Sequence, residues 1–356
     1  MKSLSLLALM FSLCCNLSKG QPYFDFGEVY PDGNTQKEGL NLFTSDDLLE
    51  MTLAFDMKEF LKTKNQSKYH DATLIVKTFA GDSVTEHIEL KARGKMRCDY
   101  CSFPPIMIKL KEKNSIPGGI QDRGNFKLVT HCNRSPKNED YVLKEYLVYR
   151  LLNLVTPYSF KTRLVRIHYV DIHEAKKSYT TYGFLIENLD QLAERNNAVV
   201  IDNPNLAQSH MNSEDMARTS LFNYMIGNTD WSVASQHNIK VLKSVNVLSD
   251  KGIPVSYDFD FSGFVNTSYA APCGKIPIKN VTERYYQGMC LSDEDINPVL
   301  EAFEDLKGRF ISTIDNFEYL SAGSRKQLES YINSFYKGFK NQNVLISDLN
   351  RTCKSY

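Results

Sequence analysis

The hydrophobic period of this chain changes from two to a helical one part-way along, and a fold has to accommodate both regimes. Residues 72–76 and 87–92 read as two strands around a Gly81-Asp82 turn. Ile106, Ile108 and Leu110 alternate with Met107, Lys109 and Lys111, which predicts a third strand after Pro104-Pro105, and residues 126–130 supply a fourth. Over residues 141–154 the apolar positions Leu143, Leu147, Leu151 and Leu154 fall on one helical stripe, which Pro157 ends. Strand signals return at 163–170 and 182–186. Between Leu48 and Leu61 apolar and charged residues mix without clear alternation, and no element is predicted there.

From about Asn188 the pattern is mainly helical. Residues 214–226 begin with acids and end at Gly227-Asn228, both terminal signals. Val299, Leu300, Phe303, Leu306, Phe310, Ile314 and Phe317 mark one long amphipathic stretch, and Leu328, Tyr331, Ile332, Phe335 and Phe339 another. A strand pair, 239–242 and 253–261, interrupts this half. The expected class is α+β, with a strand-rich N-terminal lobe over 48–187 and a helix-rich lobe over 188–356. Many α+β proteins share that order, so it names no function.

The first twenty residues bear on compartment. Met1-Lys2 precedes an apolar run from Leu4 to Cys15, and Ser18 and Gly20 suit a cut ahead of Gln21, which is the layout of a signal peptide. The run is too short to span a membrane. Acylation of Cys14 or Cys15 is the weaker reading, because the residue before each is Leu13 or Cys14. Residues 21–47 then read as an N-terminal arm. Lys plus Arg and Asp plus Glu each total 42, so no net field invites nucleic acid or an anionic membrane, and no later run has the length of a transmembrane helix. The chain is therefore expected to be secreted or periplasmic.

Cys98, Cys101, Cys132, Cys273, Cys290 and Cys353 remain beyond the signal segment. An even number in an oxidising compartment favours disulfides. Cys101 precedes one strand and Cys132 ends the next, so they form the first expected pair, Cys273 and Cys290 the second, with Cys98 and Cys353 left over. Cys98-x-x-Cys101 is also the start of a zinc pattern, but no second Cys-x-x-Cys follows.

Polar residues that carry chemistry are densest at Gly227-Asn228-Thr229-Asp230-Trp231, at Gln236-His237-Asn238, and at Tyr257-Asp258-Phe259-Asp260-Phe261. Phosphoryl transfer needs a carboxylate near the acceptor hydroxyl, with an amide and a second carboxylate to hold magnesium against the phosphates. Asp and Asn in loops also cap helices and close turns. Asp258 and Asp260 resist that reading: they interrupt an apolar aromatic stretch, and on an extended strand they point to the same side as a metal pair. The seven histidines are scattered and read as ordinary surface or core residues. No Gly-x-Ser-x-Gly, P-loop or His-Glu-x-x-His pattern competes.

These motifs, taken with Arg93-Gly94-Lys95-Met96-Arg97, Phe103-Pro104-Pro105, Lys127-Leu128-Val129-Thr130-His131-Cys132 and Gly183-Phe184-Leu185-Ile186-Glu187, come in a distinctive order. Over about residues 48–290 the chain resembles the CotH-like family, named for a spore coat protein, and in particular its secreted bacterial branch. The resemblance implies a two-lobed, atypical protein-kinase-like fold that uses ATP and Mg2+ or Mn2+ to phosphorylate hydroxyls of exported proteins. By position, Asp230 is similar to the catalytic aspartate and Asn238 to the metal-binding asparagine. Asp258, with Asp260 as understudy, matches the second metal ligand. Arg93 and Gly94 match an Arg-Gly motif in which the guanidinium meets phosphate oxygens; a structural ion pair is the alternative. Glu187, at the crossing between lobes, either serves the nucleotide or bonds the backbone.

The chain departs from the spore coat proteins twice. Pro104-Pro105-Ile106 stands where they have a Pro-Lys-Lys, so Lys109 or Lys127 must supply the phosphate lysine. Lys144-Glu145 offers a carboxylate to pair with it, though this dipeptide reads as a solvated helix face. The gap from Asp230 to Asn238 is also longer, and Asn228 is the alternative ligand. Three functions stay open: a secreted kinase, a nucleotidyl transferase on the same fold, and a non-catalytic coat, adhesion or assembly module. The altered lysine motif and the lack of a cytoplasmic ATP pool favour the module, and the intact acids favour the enzyme.

Overall fold

Leu49, Met51, Leu53 and Phe55 point into a barrel, while Glu50, Thr52 and Ala54 point out. They form β1 (Leu49–Phe55), a strand in the stretch where no element was predicted. Its outward positions are small or weakly polar, and the charge that would have marked alternation is confined to Glu50. The computed structural model describes residues 39–354, except 78–80, 111–118, 123, 204, 247–249 and 273–275. The expected signal peptide and most of the arm lie outside the described residues. The arm's end does not dangle: Leu42 is buried, and its amide donates to Asp122 at 2.6 Å.

After β1, Asp56 caps the short helix α1 (Met57–Lys62) by accepting from the Glu59 amide. The strands β2 (His70–Lys77), β3 (Ser83–Ala92), β4 (Ile106–Leu110) and β5 (Asn125–Val129) follow, with α2 (Lys95–Tyr100) between β3 and β4. The long helix α3 (Pro136–Val155) precedes β6 (Thr162–Asp171) and β7 (Tyr179–Ile186). Strand order is β1-β2-β3-β4-β5-β7-β6, and a parallel pairing of β1 with β6, from Leu49↔Val165 to Phe55↔Asp171, closes the barrel. The strand-rich half is thus a closed seven-stranded barrel with no free edge.

One face of α3 lies on the outside of this barrel and the rest meets the helical half. Its residues Leu143, Leu147 and Leu151 share one apolar core with Phe184 and Ile186 of β7 and with the later helices. Beyond the barrel come α4 (Leu189–Arg195), β8 (Ala198–Ile201), α5 (Ser213–Met225), β9 (Ile239–Ser244) and β10 (Ile253–Ser256). The three strands form a small antiparallel sheet, β10-β9-β8. α6 (Asp293–Asp315), α7 (Ala322–Tyr336) and α8 (Gln342–Asn350) complete the fold. The architecture is mixed α+β, as expected. No helix among the described residues is long and apolar enough to cross a membrane.

Cys101 and Cys132 form the expected disulfide, with Cα atoms 4.7 Å apart. The second bond differs from the expected one: Cys290 pairs with Cys353, Cα atoms 4.9 Å apart. The backbone explains the choice, since the C-terminal segment returns beside Met289 and bonds to it through Cys290 N–Lys354 O and Lys354 N–Gly288 O. Cys273 lies outside the described residues. Cys98 is a buried free thiol, and the loss of Cys101 to a disulfide removes the zinc pattern.

Candidate functional site

The loop that carries Asp230 is set by the end of α5. Gly227 has φ +65°, and a Cβ there would sit 2.2 Å from the Tyr331 hydroxyl, so both backbone and space demand glycine. Asn228 is buried; its amide nitrogen donates to Asn223 Oδ1 at 2.8 Å, and its Oδ1 accepts from the Asp230 amide at 3.1 Å. Asn223 is anchored in turn to Thr219 O and Ser256 Oγ, both at 2.9 Å. Asn228 therefore shapes the loop.

The lengthened gap after Asp230 folds onto itself. Ser232 and His237 exchange two backbone hydrogen bonds, at 2.9 and 3.0 Å, so the intervening residues loop out and Asn238 returns to Asp230. The Asn238 amide nitrogen donates to Asp230 O at 2.8 Å and to Asp230 Oδ2 at 3.1 Å. His237 Nε2 lies 2.8 Å from Asp230 Oδ1. The Tyr257 amide then donates to Asn238 O at 3.1 Å, which brings the Asp258 segment alongside. Gln236, Asn238 and Asp258 all have φ near +50 to +64°, left-handed backbone that Asn and Asp tolerate better than most residues. Strain of this kind clusters where a site holds residues in place.

β10 stops at Ser256, before the acids, so the extended strand expected to carry Asp258 and Asp260 on one side does not form. Tyr149 of α3 holds Asp258 by accepting its amide at 3.0 Å. The Asp258 carboxylate makes no hydrogen bond or ion pair among the described residues. Asp260 turns inward instead: it is buried, accepts from the Tyr269 hydroxyl at 2.9 Å, and lies 4.0 Å from an Arg97 nitrogen. Burial, then the Asp258 charge, push it up to about 7, against Arg97 and the Tyr269 hydroxyl.

Two residues beneath the acids were not expected there. Glu145 of α3 is buried rather than solvated, and burial, then Asp260 and Asp258, hold its carboxyl well above the usual range. Arg97 is buried too, and it donates to Thr130 O at 2.7 Å. Helical spacing alone carried a signal for Glu145: it sits three residues from buried Val142 and Val148 on the same helix.

On the barrel side the two lysines separate. Lys127 Nζ lies 4.5 Å from the Tyr257 ring centre and 5.7 Å from that of Phe160. Burial, then the Arg93 charge, lower it to about 8, while Asp258 acts the other way, so it shares the Asp258 environment. Lys109 is 44% exposed, pairs with Glu89 at 3.0 Å, and stands over Tyr69 at 5.4 Å. Of the two lysines, Lys127 is the one that the Asp258 charge reaches. Gly94 starts α2 at φ +80°, and the charge of Arg93 is felt by both Lys127 and Glu145. Glu187 is committed to structure: its carboxylate accepts from the Lys161 amide at 2.6 Å and from Arg195 at 2.7 Å. Of the two roles open to it, these bonds are the backbone one.

The oxygen atoms that could serve a divalent cation are the Asp258 carboxylate and Asn238 Oδ1, since Asp230 uses only the Asn238 amide nitrogen. No cluster of three or more His, Cys, Asp or Glu among the described residues would hold a metal unaided. That set suits Mg2+, which takes one or two protein oxygens and completes its shell with water and substrate phosphates.

No family model and no curated protein matches the chain. Among solved structures it is similar to the crystal structure of the proinflammatory kinase CtkA of Helicobacter pylori, with 10% identity and a TM-score of 0.38 over 69% of this chain and 90% of that one. A likeness this distant decides nothing about the site.

Proposed function

We propose that this chain is an ATP- and metal-dependent phosphotransferase with an atypical kinase-like arrangement, acting on hydroxyl groups of exported proteins. The observation that carries the reading is the hydrogen-bonded run Asp230–Asn238–Tyr257-Asp258, in an environment shared with Lys127. These are the parts phosphoryl transfer requires: a carboxylate for the acceptor, oxygen donors for a cation, and a cation for the phosphates. Two disulfides support an oxidising compartment.

Asp230 orients the acceptor hydroxyl and takes its proton. The hydroxyl oxygen forms a bond to the γ-phosphorus as the bond to the β,γ-bridging oxygen breaks, giving a phosphoester and ADP. Mg2+ held by Asp258 and Asn238 would neutralise charge on the phosphate oxygens. Lys127 and Arg93 add positive charge from the barrel side. Asp260 faces Arg97 at 4.0 Å, and the Tyr149 hydroxyl holds the Asp258 amide.

Incubation of the protein with Mg2+ or Mn2+ and ATP labelled at either phosphate tests this directly. Label transferred from the γ position only, and lost in Asp230→Ala and Asp258→Ala at unchanged melting temperature, supports the reading. Label from the α position would mean nucleotidyl transfer, and no transfer from either would favour a non-catalytic module.

A further inference from the structure

We infer that His237 is a positioning residue for Asp230, delivered to it by the closed turn between Ser232 and His237. The inference rests on the phosphotransfer reading of Asp230. Two structural facts single out this histidine. Its Nε2 lies 2.8 Å from Asp230 Oδ1 while Asn238 holds Oδ2 at 3.1 Å, so the two oxygens of one carboxylate are held from two sides. Its own backbone is fixed, because N and O both bond to Ser232. The turn is further tied by Ser235 N to Ser232 Oγ at 3.3 Å and by Gln236 Nε2 to Asn203 O at 2.8 Å. Left-handed residues stand on either side, Gln236 and Asn238.

The alternative is a surface ion pair of no consequence, which is the usual worth of an exposed contact. The His237 side chain is 55% exposed, so it contributes little to the core. Asp230 is only 25% exposed and swings about two side-chain torsions unless something stops it. The carboxylate accepts, so Nε2 carries the hydrogen. A donor here fixes the torsion that aims the oxygen at an acceptor hydroxyl, and misplacement of a reacting group is costly in rate.

The test uses the full chain with casein as acceptor, or its own autophosphorylation. His237→Ala is expected to lower kcat about tenfold, with KM for ATP and the melting temperature unchanged. Gln places an amide nitrogen where Nε2 stands, so His237→Gln should recover most of the rate. His237→Phe, with the bulk and no donor, should not. Wild-type kcat in His237→Ala, or equal recovery by Gln and Phe, would overturn the inference. A second readout does not depend on activity. Imidazole nitrogen NMR should show His237 with hydrogen on Nε2 and a resonance that moves in Asp230→Ala; a spectrum left unchanged by that substitution overturns the inference. Absence of transfer by the wild type would instead sink the phosphotransfer reading, and the NMR would still decide the pairing.

Discussion

Replacing Lys127 with methionine should separate stability from function. Burial, then Arg93, lower its ammonium from 10.5 to about 8 in the folded chain, so the fold carries a disfavoured charge at neutral pH. Between these two values the unfolded chain binds more protons than the folded one, and stability therefore rises with pH through that window. The penalty is fully present below about pH 8 and fades as pH climbs toward 10.5. At about 1.4 kcal/mol per pKa unit it amounts to about 3 kcal/mol. Methionine keeps an unbranched stem and sets a thioether beside the Tyr257 and Phe160 rings, a favourable neighbour for sulfur. Urea denaturation of both proteins at pH 7, 8, 9 and 10 reads the effect. The stability difference in favour of the variant should shrink by about 2 to 3 kcal/mol from pH 7 to pH 10, while the variant loses phosphoryl transfer at every pH. Parallel pH profiles for the two proteins would refute the argument that Lys127 is a desolvated cation aimed at a ligand.

Two further outcomes follow from the same geometry. Replacing both Cys101 and Cys132 with serine opens a loop of 31 residues, and loop entropy sets the loss at about 3 to 4 kcal/mol, seen as a lower urea midpoint; an unchanged midpoint would remove the clamp from the account. Glu145→Gln mimics the neutral acid that burial enforces. A carboxyl raised in the fold contributes its stability below its unfolded value of 4.5 and loses it as pH rises toward the folded one. The variant should therefore match or exceed the wild type at pH 7 and lose less stability from pH 5 to pH 8, whereas a large destabilisation at pH 7 would mean that Glu145 is charged.

The barrel strands β2 to β7 and the helices α3, α5, α6 and α7 were legible because period and punctuation agree in them, whereas α8 was not expected. β1 was not, since its outward Thr52 and Ala54 blur the alternation. Barrel closure was beyond reach for another reason: it depends on a parallel pairing of strands more than a hundred residues apart, which leaves no local trace. The acids at Asp230 and Asp258 were legible as polar breaks in apolar surroundings. Their geometry was not, because Asp258 adopts a left-handed backbone where a strand was expected. Lys109 and Lys127 are indistinguishable by alternation, since both occupy outward strand positions. Only the helical half covering one of them tells them apart. Glu145 looked solvated beside Lys144, although its spacing of three residues from Val142 and Val148 put it on a buried face of α3. The Cys290–Cys353 bond likewise depends on where the C-terminus returns.

Manganese electron paramagnetic resonance reads whether Asp258 and Asn238 hold a cation against nucleotide phosphates. Mn2+ and a non-hydrolysable ATP analogue are titrated into the wild type, Asp258→Ala and Asn238→Ala. Nucleotide and metal are expected to bind together to the wild type, with one manganese per chain, and each substitution to weaken the metal about tenfold or more while both variants stay folded. Equal manganese affinity in all three proteins, with nucleotide present, would contradict it.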